Sequence, residues 1–162
     1  MILGMSTAAF TALHVILSLI AIGAGAVVVY GMFNARRLPR WTVLFLVTSI
    51  LTSVSGFFFP TDKVLPSQVV GAICLVLLAA AVVALYQGKL AGAWRWVYGV
   101  TAVLSFYLNV FVLVIQGFLK VPSLHMLAPT QQEAPFLVAQ GITLIVFLVA
   151  SVFAVKRFRP VD

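Results

Sequence analysis

The sequence predicts an all-α, polytopic integral membrane bundle of five transmembrane helices, and three observations predict it. Of its 162 residues 64% are hydrophobic and only 8% charged, against about 25% charged in a soluble domain. Several apolar stretches of about 20 residues run without Asp, Glu, Lys or Arg, a bilayer-spanning length rather than the alternating faces of a soluble core. The basic residues gather in short segments between these stretches, and they fall mostly on alternate segments.

The first span is expected over residues 7–33, closed by Asn34, Arg36, Arg37, Pro39 and Arg40, which stop both the apolar run and the helix. The second covers 41–59. A polar turn with Pro60, Thr61, Asp62, Lys63 and Pro66 leads to the third, 67–86, which Gly88, Lys89, Gly92 and Arg95 interrupt. The fourth runs over 96–119 and the fifth over 135–155, ending on Lys156, Arg157 and Arg159. Between these two lies the longest loop, 120–134, in which Ser123 to Ala128 has room for one turn of interfacial helix. The whole chain reads as a single transmembrane domain. Met1 to Phe10 lacks a basic leader and the first apolar run is too long for a cleavable signal, so the first helix is expected to stay in the mature protein.

Orientation follows from charge, because Lys and Arg beside a span are retained in the cytoplasm. Arg36, Arg37, Arg40, Lys89, Arg95, Lys156, Arg157 and Arg159 share one side, while Lys63 and Lys120 share the other with Asp62 and Glu133. The amino terminus is therefore expected outside and the carboxy terminus in the cytoplasm. A multi-pass protein of the cell membrane results, most naturally a bacterial inner membrane, with anionic lipids at its cytoplasmic face. The net charge of +7 does not point to nucleic acid, whose binding needs basic residues gathered with aromatics on one folded face. A faint echo links Arg40-Trp41 and Arg95-Trp96, each opening a span that ends in Gly-Phe before a proline loop. A duplicated hairpin explains it, and so does the general preference for Arg, Trp and Pro at membrane interfaces.

Polar groups within spans carry the functional reading, since hydrocarbon cannot satisfy them. His14, Ser18, Ala21 and Gly25 share one face of the first span, so His14 is expected to point into the bundle. Thr101, Ser105, Asn109, Gln116 and Lys120 form a stripe on the fourth. The second contributes Thr48, Thr52 and Ser55, the fifth Gln140 and Thr143. At about 1.5 Å per residue, His14 lies roughly 10 Å below the outer end of its span and Gln140 about 6 Å. These groups concentrate in the outer half, beneath the loop bearing His125 and Glu133. A ligand pocket opening outward and lined by His14, Asn109, Gln116, His125, Glu133 and Gln140 is the expectation; the competing account is that the same groups hydrogen-bond neighbouring helices as packing glue.

Other chemistry is sparse. The single Cys74 excludes an intramolecular disulfide and any CxxC redox centre. The spans hold no Asp, Glu, Lys or Arg at depth, which argues against a proton-coupled pump, and the motifs HExxH, GxSxG and the P-loop are absent. The function expected is a non-enzymatic bundle that binds a lipid or small molecule, or an accessory subunit that docks against a membrane protein partner or another copy of itself. The first alternative is a redox protein holding haem b, or a metal such as copper with Met5 and Met126, through His14 and His125. A membrane-embedded enzyme of unidentified chemistry is the second.

Overall fold

A computed structural model describes residues 1–160. Among them the chain forms six helices and no strand: α1 (Thr7–Phe33), α2 (Pro39–Ser55), α3 (Pro66–Val82), α4 (Ala93–Lys120), the short α5 (Pro122–Leu127) and α6 (Ala134–Arg157). A 3₁₀ turn, Gly56–Phe58, prolongs α2, and a π-helical turn, Val83–Gln87, prolongs α3. The five long helices are each long and apolar enough to cross a membrane.

Prolines open these helices more than they end others. Pro39, Pro66, Pro122 and Pro135 each sit in the first two helical positions, where the missing N–H has no intrahelical partner to lose and the fixed φ is already helical. For this reason α2 starts two residues before its expected limit, at Pro39, with proline as its beginning. Two side chains settle other starts: Ser6 accepts from the Ala9 N–H at 3.2 Å, and Gln68 Oε1 accepts from the Leu65 N–H at 3.1 Å. The latter makes Gln68 a helix cap.

Short connections make consecutive long helices antiparallel. The segments after α1, after the π turn and after α6 therefore meet at one end of the bundle, which carries Arg36, Arg37, Arg40, Lys89, Arg95 and Arg157; Asp62, Lys63, Lys120 and Glu133 lie at the other. α4 is the central element, packing against α1, α3 and α6, while α2 packs on α1 and α3. The core is built from i, i+4 faces: Ala24, Val28 and Met32 of α1, Leu78 of α3, and Tyr98, Ala102 and Phe106 of α4. Gly25 lets α1 approach, since a Cβ there would lie 2.7 Å from Phe106, whose ring is itself wedged edge-on against Phe45 and Phe147. α6 lies at the flank and buries only Phe147 and Ala154.

Candidate functional site

At the end opposite the basic residues, the polar groups within the helices reach across to neighbours. His14 of α1, half-buried, shares a hydrogen bond of 2.7 Å between its Nδ1 and Ser55 Oγ of α2. Its ring meets Phe59 edge-on at 5.4 Å, and Phe59 also packs on Phe10. Asn109 of α4 donates to Ser49 Oγ of α2 at 3.0 Å. Gln140 of α6 donates to the Phe111 carbonyl of α4 at 3.1 Å, while its buried Oε1 has no protein partner. The hydroxyl of buried Thr52 is likewise without one.

The stripe on α4 divides along its length. Ser105 is fully buried and Asn109 reaches α2, but Gln116 is exposed. Seven residues separate Asn109 from Gln116, about 10 Å of rise. α2 runs in the same direction, with six residues from Ser49 to Ser55 and the 3₁₀ turn Gly56–Phe58 beyond.

The loop after α4 is fastened from beneath. Gln131 donates to the Ile115 carbonyl at 3.0 Å, Ala128 is buried, and Phe118 packs edge-on against Phe136. His125 Nδ1 lies 3.3 Å from the Phe118 carbonyl, at the end of α4. The Glu133 carboxylate accepts from Thr130 N–H and Oγ at 3.2 and 2.9 Å and from Gln132 N–H at 3.1 Å. Desolvation pushes its pKa up, but these hydrogen bonds outweigh it and hold the carboxyl below its ordinary value. His14 and His125 thus take their hydrogen bonds from different elements, α2 and the end of α4, and among the described residues no group of three His, Cys, Asp or Glu side chains is placed to hold a metal ion.

The basic end holds a different feature, a cleft of about 270 Å³ lined from α1, α2, the π turn, α4 and the residue following α6. Arg36 and Arg37 bring charge to its lining, Thr42, Tyr86 and Tyr98 bring hydroxyls, and Met32, Leu85 and Phe158 are among its apolar walls. Leu90 of its lining is left-handed (φ 57°), as are two neighbours of lining residues, Ala35 (φ 54°) beside Arg36 and Lys89 (φ 48°) beside Leu90. Each such residue costs of order 1–3 kcal/mol and persists only where the surroundings over-determine it. The π turn adds a second irregularity of a kind often found at functional sites: Gly88 N–H reaches back to the Val83 carbonyl at 2.9 Å, and Leu90 N–H to Ala84 at 3.1 Å. Gly31 makes the fold-back after α1 possible, because a Cβ there would lie 2.8 Å from Leu38 and 3.2 Å from the Arg36 carbonyl. A more open groove of about 390 Å³, apolar except for Arg157, runs between α1 and α6 at the same end.

Sequence reasoning placed the arginines by topology alone and passed over Tyr98 and Ser49. Arg36-Arg37 beside a tyrosine-bearing helix start was the available signal, but the cleft combines residues too far apart in the chain for any periodicity to join them.

Taken together, five helices long and apolar enough to cross a membrane, joined by interhelical polar pairs, are compatible with a small membrane protein. No protein-family model, curated protein or solved structure matches the chain.

Proposed function

We propose that the chain is a small binding protein of the cell membrane whose ligand occupies the cleft at the basic end, with that end in the cytoplasm and the amino terminus outside. The observation that carries this reading is the convergence on one cleft of two arginines, three hydroxyl-bearing side chains and strained backbone from two separate turns. Its volume approaches the lower end of the range for small-molecule sites, roughly 300–1,000 Å³. The polar pairs of the outer half then act as glue between helices. A bacterial inner membrane is the natural setting for the charge asymmetry.

The test is mass spectrometry of small molecules and lipids retained through purification in mild detergent, comparing the parent chain with Val43→Trp, a substitution at the cleft wall. A species bound by the parent and reduced at least about tenfold in the variant, a change of about 1.4 kcal/mol in binding, supports the proposal. An identical complement in both proteins sinks it.

A second reading keeps the outward pocket of His14, Asn109, Gln116, His125, Glu133 and Gln140, favoured by the unpartnered Gln140 Oε1 and Thr52 hydroxyl. Such buried atoms call for water or ligand. The accessory-subunit role is compatible with either site.

A further inference from the structure

We infer that the bundle encloses a water molecule in the half opposite the arginines, held by the hydroxyls of Thr52 and Ser49 on α2 and by Ser18 on α1. The site is independent of the cleft. It assigns the unpartnered Thr52 hydroxyl to water rather than to a ligand entering from that end.

Hydroxyls within a helix have a local solution, donation to the carbonyl one turn back. Thr48, Thr101, Ser105 and Thr143 all take it, at 2.6, 2.8, 2.8 and 2.8 Å. Thr52 does not. The residue is only 9% exposed, its Oγ1 is buried, and no protein atom shares a hydrogen bond with that oxygen. A membrane interior offers no bulk water to relax such a group, so a partner is required.

Helix geometry shows which way the hydroxyl faces. Ser49, Thr52 and Ser55 follow one another on α2 at three-residue steps, each of which turns the face by about 60°. Ser55 meets His14 of α1 and Ser49 meets Asn109 of α4. Thr52, halfway between them, therefore faces the seam where α1 and α4 close on α2. Ser18 lies one turn from His14 on the same face of α1, and the antiparallel run of α1 and α2 brings it to the depth of Thr52.

The hydrogen-bonding capacity left at this depth matches one water. Ser18 gives its proton to the His14 carbonyl at 2.8 Å and keeps acceptor lone pairs. Ser49 Oγ accepts from Asn109 at 3.0 Å and keeps its own proton to donate. Water accepts from Ser49 and Thr52 and donates to Ser18, and about three partners is the usual number for a buried water. Ser55 Oγ donates to the Thr52 carbonyl at 3.0 Å, so His14 Nδ1 is the donor in its 2.7 Å contact with Ser55. The water thereby joins two interhelical bonds into one chain, from His14 along α2 to Asn109. Neutral hydroxyls and an amide offer a metal cation no carboxylate and an acyl chain no hydrogen bond, whereas water both donates and accepts. Gln140 Oε1, also buried without a protein partner, marks nearly the same depth: its amide bonds the Phe111 carbonyl, two residues beyond Asn109 on α4.

The experiment follows magnetisation transfer from water to isotopically labelled threonine in the full chain, by solid-state NMR in phosphatidylcholine bilayers. The Thr52 signal, assigned by its loss in Thr52→Val, is expected to build up several-fold faster than that of Thr48, a residue 5% exposed one turn away whose hydroxyl is bonded to its own helix. Equal build-up at the two positions overturns the site. Enclosure is read separately: Thr52→Cys in a Cys74→Ala background is expected to resist a membrane-impermeant thiol reagent from both faces. Rapid labelling from the face opposite the arginines overturns the enclosed water in favour of a ligand pocket open at that end. Finally, Thr52→Val expels the water and strands Ser49 and Ser18, so it is expected to lower Tm by several degrees, while Thr48→Val changes it little. A higher Tm for Thr52→Val marks a hydroxyl orphaned in a dry contact and overturns the site as well. All of these outcomes leave the cleft to its own test, the comparison with Val43→Trp.

Discussion

Single residues at the end of the bundle opposite the arginines bond across helix boundaries, and this decides how their mutants behave. The His14–Ser55 contact at 2.7 Å is one of a class of interhelical bonds contributing roughly 0.6–2 kcal/mol in membranes. A double-mutant cycle of His14→Phe and Ser55→Ala, read by unfolding in detergent, is expected to give a coupling energy in that range; additive losses would mean the bond carries no stability. Glu133 offers a pH test. Its folded-state pKa is depressed, so its contribution to loop order is present above the unfolded value near 4.5 and is lost as pH falls through the lower folded value. Amide exchange of Thr130 and Gln132 is expected to accelerate over that descent relative to helical amides, and Glu133→Gln to abolish the acceleration. A pH dependence unchanged in the variant contradicts the assignment.

At the scale of elements, glycines report which helix contacts are close. Gly25 lies under Phe106, with 2.7 Å to a substituted Cβ, whereas Gly23, two residues away on α1, has nothing within 4 Å. Overpacking a core costs about 1–3 kcal/mol, and Phe106 has little freedom to move between Phe45 and Phe147. Gly25→Ala is therefore expected to lower Tm by several degrees and Gly23→Ala to leave it unchanged or raise it. Equal effects of the two would remove the α1–α4 crossing from the account.

Elements were also the most legible part of the chain. Apolar length and the positions of Arg and Lys located five helices because each signal is local. Proline placement was legible with one correction, that Pro39 and Pro66 start helices as well as end what precedes them. The polar stripe on α4 was readable as a face, but the identity of its partners was not. Ser49 is one hydroxyl among several on α2, and only helix rotation and packing decide that it meets Asn109. The cleft was invisible for a stronger reason: its walls come from three long helices, the π turn and the segments between and after the helices, and the irregular backbone beside it, the π turn and the left-handed Lys89 and Leu90, has no residue signature.

The molecule as a whole has interhelical polar bonds in the half opposite the arginines and a cleft at its basic end. This division makes sidedness part of the functional claim, since a ligand reaches the cleft from the cytoplasm only if the basic end lies there. Reporter fusions after Arg37 and at the carboxy terminus are expected to be active in the cytoplasm, and a reporter within the 122–132 segment to be active outside; a carboxy-terminal reporter active only outside would invert the assignment. If His14 and His125 instead joined one haem, protein made with ample haem would show a Soret band that His14→Ala removes. A colourless preparation without that band would remove the haem reading.

The most direct test of this division is cysteine accessibility in a Cys74→Ala background, using a membrane-impermeant thiol reagent on right-side-out and inverted vesicles. Thr42→Cys and Leu85→Cys, in the cleft, are expected to label in inverted vesicles. Asn109→Cys and Gln140→Cys are expected to stay protected from both sides, while an exposed Gln132→Cys control labels fully from outside. Ready labelling of Asn109→Cys and Gln140→Cys from outside, with protection at Thr42→Cys and Leu85→Cys from the cytoplasmic side, would contradict the account and move the binding site to the outward pocket.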